Sequence, residues 1–192
     1  MKFPAPVFLV LTLSSLTMAQ IPHIEVFGGF STERIAPCGA TSSNSFGESC
    51  GFEQGELQSS LHYYNGWNAA VTLHERLIGF TADIAGHYGT YNGAPSLSRY
   101  SFLFGPTVRI PVPKITPFAH ALFGVVKEIS SGDSALAFTE PGIALGGGVD
   151  WKMSKLVAIR LAQVDYEWQR NPTGGLPGPH GFRLGSGVVL RF

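Results

Sequence analysis

Eight stretches of this chain alternate apolar residues with polar or tiny ones at a period of two, and nothing else in it constrains the fold as strongly. They set Ile24, Val26 and Phe30 on one face of the first stretch, and Trp67, Ala69, Val71 and Leu73 against Asn68, Thr72 and His74 in the second. Phe80, Ala82, Ile84 and Tyr88 oppose Thr81, Asp83 and His87; Tyr100, Phe102, Phe104, Val108 and Ile110 oppose Ser101, Thr107 and Arg109. Ala119, Ala121, Phe123 and Val125 oppose Phe118, His120 and Gly124, and Ile143, Leu145, Val149 and Trp151 oppose Gly142, Gly146, Gly148 and Asp150. The seventh stretch slips phase: Val157, Ile159 and Leu161 oppose Arg160, then Val164, Tyr166 and Trp168 oppose Asp165 and Glu167. The eighth sets Phe182, Leu184, Val188, Leu190 and Phe192 against Arg183, Gly185, Gly187 and Arg191. Short connections near Glu75-Arg76, Pro111-Val112-Pro113 and Met153-Ser154 alternate with long polar ones at roughly 32–62, 89–99, 127–138 and 169–180. Every long connection then falls at one end of an antiparallel meander, which predicts an all-β, eight-stranded antiparallel up-and-down barrel.

Such a barrel can turn its apolar face inward around a ligand, as a soluble lipocalin-like calyx does, or outward toward lipid as a transmembrane barrel. Composition favours lipid: 14% of the residues are charged, against about a quarter in soluble domains, and mean hydropathy is +0.15. No Asp, Glu, Lys or Arg falls on the apolar faces, whereas the opposite faces are crowded with glycine and both signs of charge. These suit a cramped interior in which ions pair. The expected lumen ion network is Glu25, Asp83, Arg109, Asp150, Arg160, Asp165, Arg183 and Arg191, with Glu167 and the histidines His87 and His120. Aromatic residues gather at strand ends, with Trp67, Tyr88, Tyr100, Trp168 and Phe182 beside the long connections and Phe80, Trp151 and Phe192 beside the short ones. Two interfacial girdles have that distribution. Thirteen basic residues balance thirteen acidic ones, so a nucleic-acid partner is not expected.

The N-terminus carries Lys2, an apolar run from Val7 to Leu16 and small residues before Ala19. A cleaved secretory signal peptide over 1–19 is therefore expected, followed by a barrel domain over 20–192. The run is shorter than a bilayer-spanning helix needs. The two cysteines, Cys38 and Cys50, share one polar Gly/Ser-rich stretch, and in an exported chain they read as a disulfide closing a short loop.

Three segments, Asn65 to Thr72, Thr81 to Gly89 and Thr116 to Gly124, resemble a group of porin-like barrel proteins often found in acidobacteria. The chain from about Ile21 to Phe192 is similar to the small eight-stranded outer-membrane β-barrels, such as OmpX and the transmembrane domain of OmpA. The terminal Phe192, with Leu184, Val188 and Leu190 in phase behind it and Ser186 as the weak member, resembles the C-terminal insertion signal of such proteins. The resemblance implies residence in the bacterial outer membrane, lipid contact, handling by periplasmic chaperones and the barrel assembly machinery, and a monomer. It carries no catalytic residue to transfer, and no wall-binding domain is expected beyond the last strand.

No P-loop, zinc motif, nucleophile elbow or metal-spaced cysteine pair occurs. Neither an enzyme nor a cofactor is expected, and Gly146-Gly147-Gly148 reads as barrel wall. His62 and His180 are placed in external connections, and His23 near the mature N-terminus. Side chains just fill an eight-stranded bore, so the expected role is structural or interactive through four external loops, with a narrow porin-like channel as the alternative. Pro106 is the objection to an unbroken fourth strand, and a local bulge is expected there.

Overall fold

The computed structural model describes residues 23–36, 62–89, 97–130, 137–170 and 179–192. They form eight strands: β1 (His23–Ala36), β2 (His62–Glu75), β3 (Ile78–Gly89), β4 (Leu97–Arg109), β5 (Ile115–Ser130), β6 (Ala137–Lys152), β7 (Val157–Gln169) and β8 (His180–Arg191). Each pairs antiparallel with its neighbours in sequence, and β1 pairs with β8 from Glu25↔Arg191 to Ala36↔His180, closing the barrel. Closure leaves no sheet edge unpaired. The segments 37–61, 90–96, 131–136 and 171–178 join strands at one end, and short turns join them at the other. The tightest of these is Arg76-Leu77, where Arg76 adopts a left-handed φ of 52°.

The strands run 12 to 16 residues, more than the roughly 9–11 that cross a bilayer. They therefore extend into stretches that the polar composition assigns to connections. β1 continues to Ala36, β4 begins at Leu97 and β5 reaches Ser130, while His62 and His180, expected in loops, open β2 and β8. Backbone pairing decides these ends, and polar residues in a barrel interior weaken the composition signal that would mark them.

The phase slip in the seventh stretch is a β-bulge. Pairing of β7 to β6 shifts by one residue between Val149 and Asp150, and pairing to β8 shifts between Arg160 and Gln163, so Leu161-Ala162 holds one extra residue. The bulge expected at Pro106 is absent. β3 pairs through Phe80↔Pro106 without interruption, and the β4–β5 register is the same before and after the gap between Phe104↔Phe123 and Thr107↔His120. A proline has no N–H to donate, so two pairs drop out of one ladder and the strand continues.

Outside the β7 bulge, side chains alternate between two environments. Phe102, Phe104 and Phe123 are 51%, 42% and 50% exposed on the outer surface, whereas Asp83 and Arg160 are 2% and 7% exposed within the bore. That polarity is the inverse of a calyx. The inward face is not wholly polar: Phe27, Ala70, Ala158 and Val189 form one buried apolar cluster and Leu103, Leu122 and Ala144 another.

Candidate functional site

Inward side chains from all eight strands form a continuous chain of ion pairs and hydrogen bonds along the bore. At the short-turn end Glu25 of β1 binds Arg109 Nη1 at 2.6 Å and Arg191 Nε at 2.7 Å, with His74 at 3.5 Å. Arg191 also approaches Asp150 at 3.8 Å, and Asp150 receives Arg160 Nε at 2.8 Å. Arg160 Nη1 donates to Gln163 Oε1 at 2.7 Å, and Gln163 Nε2 donates to Asp165 Oδ2 at 2.7 Å. Both residues face inward, three apart, because the bulge lies between them. Asp165 is the hub of the middle: it accepts Arg183 Nη2 at 2.7 Å and pairs with His120 Nε2 at 2.8 Å. Arg183 reaches Asp83 at 3.0 Å, which Asn68 Nδ2 binds at 2.8 Å, and Glu167 at 3.0 Å.

Toward the long-connection end, Arg99 takes over. It meets Glu167 at 3.6 Å, Glu33 at 3.1 Å and Glu128 at 2.8 Å, and donates to Gln169 at 2.8 Å. His87 stands between Glu33, at 3.3 Å, and the Ser31 hydroxyl, at 2.9 Å. All the guanidinium partners are forks that can engage several carboxylates at once, a geometry lysine lacks. Buried charges on this scale persist only when paired.

Two features narrow the bore. The Arg160 guanidinium lies between the rings of Phe27 and Phe118, 4.2 Å from each centroid, and so bridges β1 and β5 across the lumen. His120 of β5 and Asp165 of β7 meet over Gly146 of β6, which pairs with both. A Cβ at Gly146 would overlap Asp165 Oδ1 and the Val164 carbonyl, so only glycine leaves the window through which this ion pair forms. The remaining space beside them, bounded by Thr81, Asp83, Thr107 and His120 among others, is about 10 Å³. That is about the space of one water molecule. Thr72, Thr81 and Thr107 line it with a hydroxyl chain at 2.8 and 2.6 Å.

Of the lumen residues named from the sequence, Glu25, Asp83, His87, Arg109, His120, Asp150, Arg160, Asp165, Glu167 and Arg183 are buried in the bore, and Arg191 is 15% exposed at its mouth. Leu184, Val188, Leu190 and Phe192 face outward, and Phe192 exchanges backbone hydrogen bonds with Ile24. Sequence reading missed Glu33, Arg99, Glu128, Gln163 and Gln169. Glu33 and Arg99 were assigned to connections, although both stay in phase with the inward Ser31 and Ser101. Residues 1–22 and Cys38 and Cys50 lie outside the described residues. Among the described residues no group of three His, Cys, Asp or Glu could hold a metal ion.

The outer surface is an apolar belt with aromatic contacts running across strands. Phe104 stacks against Phe123 at 4.4 Å and Phe80 at 6.1 Å, Tyr88 meets Tyr100 edge-on at 5.9 Å, and Tyr166 meets Phe182 at 5.4 Å. The same architecture is found in solved structures. Neisserial surface protein A superposes with a TM-score of 0.68 at 12% identity, over 88% of this chain and 97% of that one. This is an outer-membrane barrel fold of eight strands. Ail of Yersinia pestis, solved with the heparin analogue sucrose octasulfate, gives 0.58 at 14% identity over 89% and 99%. The N-terminal barrel domain of Pseudomonas aeruginosa OprF gives 0.51 at 11% identity over 88% and 97%. No family model matches the sequence, and no curated protein matches it either. What the eight-stranded barrel shares with these structures is its fold.

Proposed function

We propose that this chain is an integral protein of the bacterial outer membrane that keeps its bore closed and acts at the cell surface, as a structural or interaction protein, through its four long connections. The carrying observation is the inverted polarity: an apolar outer belt around an interior in which charged side chains from every strand are cross-linked. A soluble protein would expose that belt to water at a prohibitive cost. Ail, the attachment invasion locus protein of Yersinia pestis, and neisserial surface protein A support a surface role for this architecture. On this reading residues 1–19 are removed on export, 20–192 form the barrel, and Phe192 with Leu184, Val188 and Leu190 serves as the insertion signal. Periplasmic chaperones and the barrel assembly machinery are the partners during assembly, and lipid surrounds a monomer afterwards.

Fractionation combined with gel migration before and after boiling tests this. Recovery with outer membranes and a heat-dependent shift are expected; a soluble periplasmic monomer would overturn the reading. Planar-bilayer recording tests closure. The intact barrel should give no steady conductance, while Arg160→Ala, which removes the guanidinium between Phe27 and Phe118, should admit ions. Steady conductance of the unaltered protein, changed by replacing Arg109 or Arg160, would instead establish a narrow channel.

A further inference from the structure

The short-turn end of the bore opens into a vestibule of about 280 Å³ that the lumen network does not fill. Its basic residues come from separate elements. Arg76 projects from the β2–β3 turn, Lys152 from the end of β6, Lys155 from the β6–β7 turn, Arg109 from the end of β4 and Arg191 from the end of β8. Glu25 is the only acidic side chain among the described residues on that wall, and it is already engaged by Arg109 and Arg191. Lys152 Nζ donates to the Val112 carbonyl at 2.8 Å and so holds its ammonium at the wall with further donors available. Arg76 and Lys155 are exposed at the rim.

A second observation is independent of charge. Thr116, at the start of β5, also lines the vestibule; it is 1% exposed and its Oγ1 has no hydrogen-bond partner among the described residues. A buried hydroxyl left without a partner is costly. An acceptor oxygen that reached this hydroxyl would supply the partner it lacks.

We propose that this vestibule is a binding site for a phosphate-class oxyanion. Guanidinium forks, ammonium groups and a hydroxyl donor together suit a tetrahedral anion with several acceptor oxygens. The space exceeds a bare phosphate, and Pro111, Leu156 and Phe192 give the remaining wall an apolar character, so a phosphate ester fits better than the free ion. In outer-membrane barrels the short turns face the periplasm. Both a soluble phosphate compound and the headgroup of an inner-leaflet phospholipid can reach that end.

The test uses the folded barrel in dodecyl maltoside, with inorganic phosphate as the probe and binding followed by phosphorus NMR line broadening. Saturable binding is expected, about tenfold weaker or more in a combined Arg76→Gln, Lys152→Gln, Lys155→Gln variant, as loss of charge-assisted hydrogen bonds implies. Thr116→Val should weaken binding without lowering the unfolding midpoint, a separation that a purely structural threonine would not give. Heat-dependent gel migration checks that each variant is folded. Nanodiscs then assign the source: phosphate binding seen in dodecyl maltoside but lost in discs of phosphatidylcholine and phosphatidylglycerol, which both present a phosphodiester, identifies the lipid headgroup, and equal binding in micelles and discs identifies a soluble ligand. Absence of saturable binding, or equal affinity in the unaltered and the combined variant, would overturn the proposal. Neither result depends on whether the protein acts at the cell surface.

Discussion

Asp165 is a hub of the interior, since Arg183, Gln163 and His120 all direct donors at its two oxygens. Asp165→Ala would take from the buried Arg183, Gln163 and His120 the acceptor they share and should cost about 3–5 kcal/mol, measured by urea titration of the heat-shifted gel band. Glu128→Gln offers the contrast: its side chain is 22% exposed where it meets Arg99, and a partly solvated pair of this kind contributes about 0–1 kcal/mol. Gly146→Val tests the window between His120 and Asp165. The added side chain would occupy the space of Asp165 Oδ1, so folding yield should collapse, whereas Gly28→Ala, facing open space on β1, should be tolerated.

At the level of a strand, the physics differs between β4 and β7. Pro106 deletes a donor and nothing more, so β4 keeps its register. The bulge in β7 inserts a residue, which lets Arg160 and Gln163 both point inward while Leu161 and Ala162 both lie outside. Deleting Leu161 should therefore leave a regular strand with every charge still inward. Such a barrel is expected to fold and show the gel shift, but with Arg160 re-aimed and ions admitted in planar-bilayer recording. Deleting Ala82 from β3, which has no bulge, would throw Asp83 and His87 onto the outer face; no folded band is expected. Ile84→Arg, on that outer face and 41% exposed as isoleucine, should cost about 2–4 kcal/mol in a bilayer. If the unfolding free energy in lipid is unchanged, the outer belt is not in contact with acyl chains.

Across the barrel as a whole, the lumen gathers, among the described residues, seven carboxylates, Glu25, Glu33, Asp83, Glu128, Asp150, Asp165 and Glu167, against five arginines, Arg99, Arg109, Arg160, Arg183 and Arg191. His74, His87 and His120 stand beside carboxylates from this set. The charges thus form a single cross-linked network that runs along the bore. Export makes a chemical prediction at the same scale. The intact mass of the protein recovered from outer membranes should begin at Gln20, and without reductant it should be lighter by two hydrogens than the reduced chain, through a Cys38–Cys50 bond. A retained leader or two free thiols would contradict those proposals.

The two-residue period was enough to assign strand number, order and which residues share a face, because in a strand neighbouring side chains point oppositely whatever surrounds them. Even the bulge left its mark, as a slip of phase before Val164. Partners were not legible. Arg99 and Glu33 sit in polar stretches that look like loops, and they meet only because long side chains from β1 and β4 reach each other across a closed barrel. The alternation likewise left open whether the apolar side was core or coat; curvature of the closed sheet settled it, since the crowded inner side holds glycines, paired ions and a few small apolar groups, while the bulky Phe102, Phe104 and Phe123 need the roomier convex surface. Pairing and curvature are long-range, and a periodicity read along one strand carries no information about either.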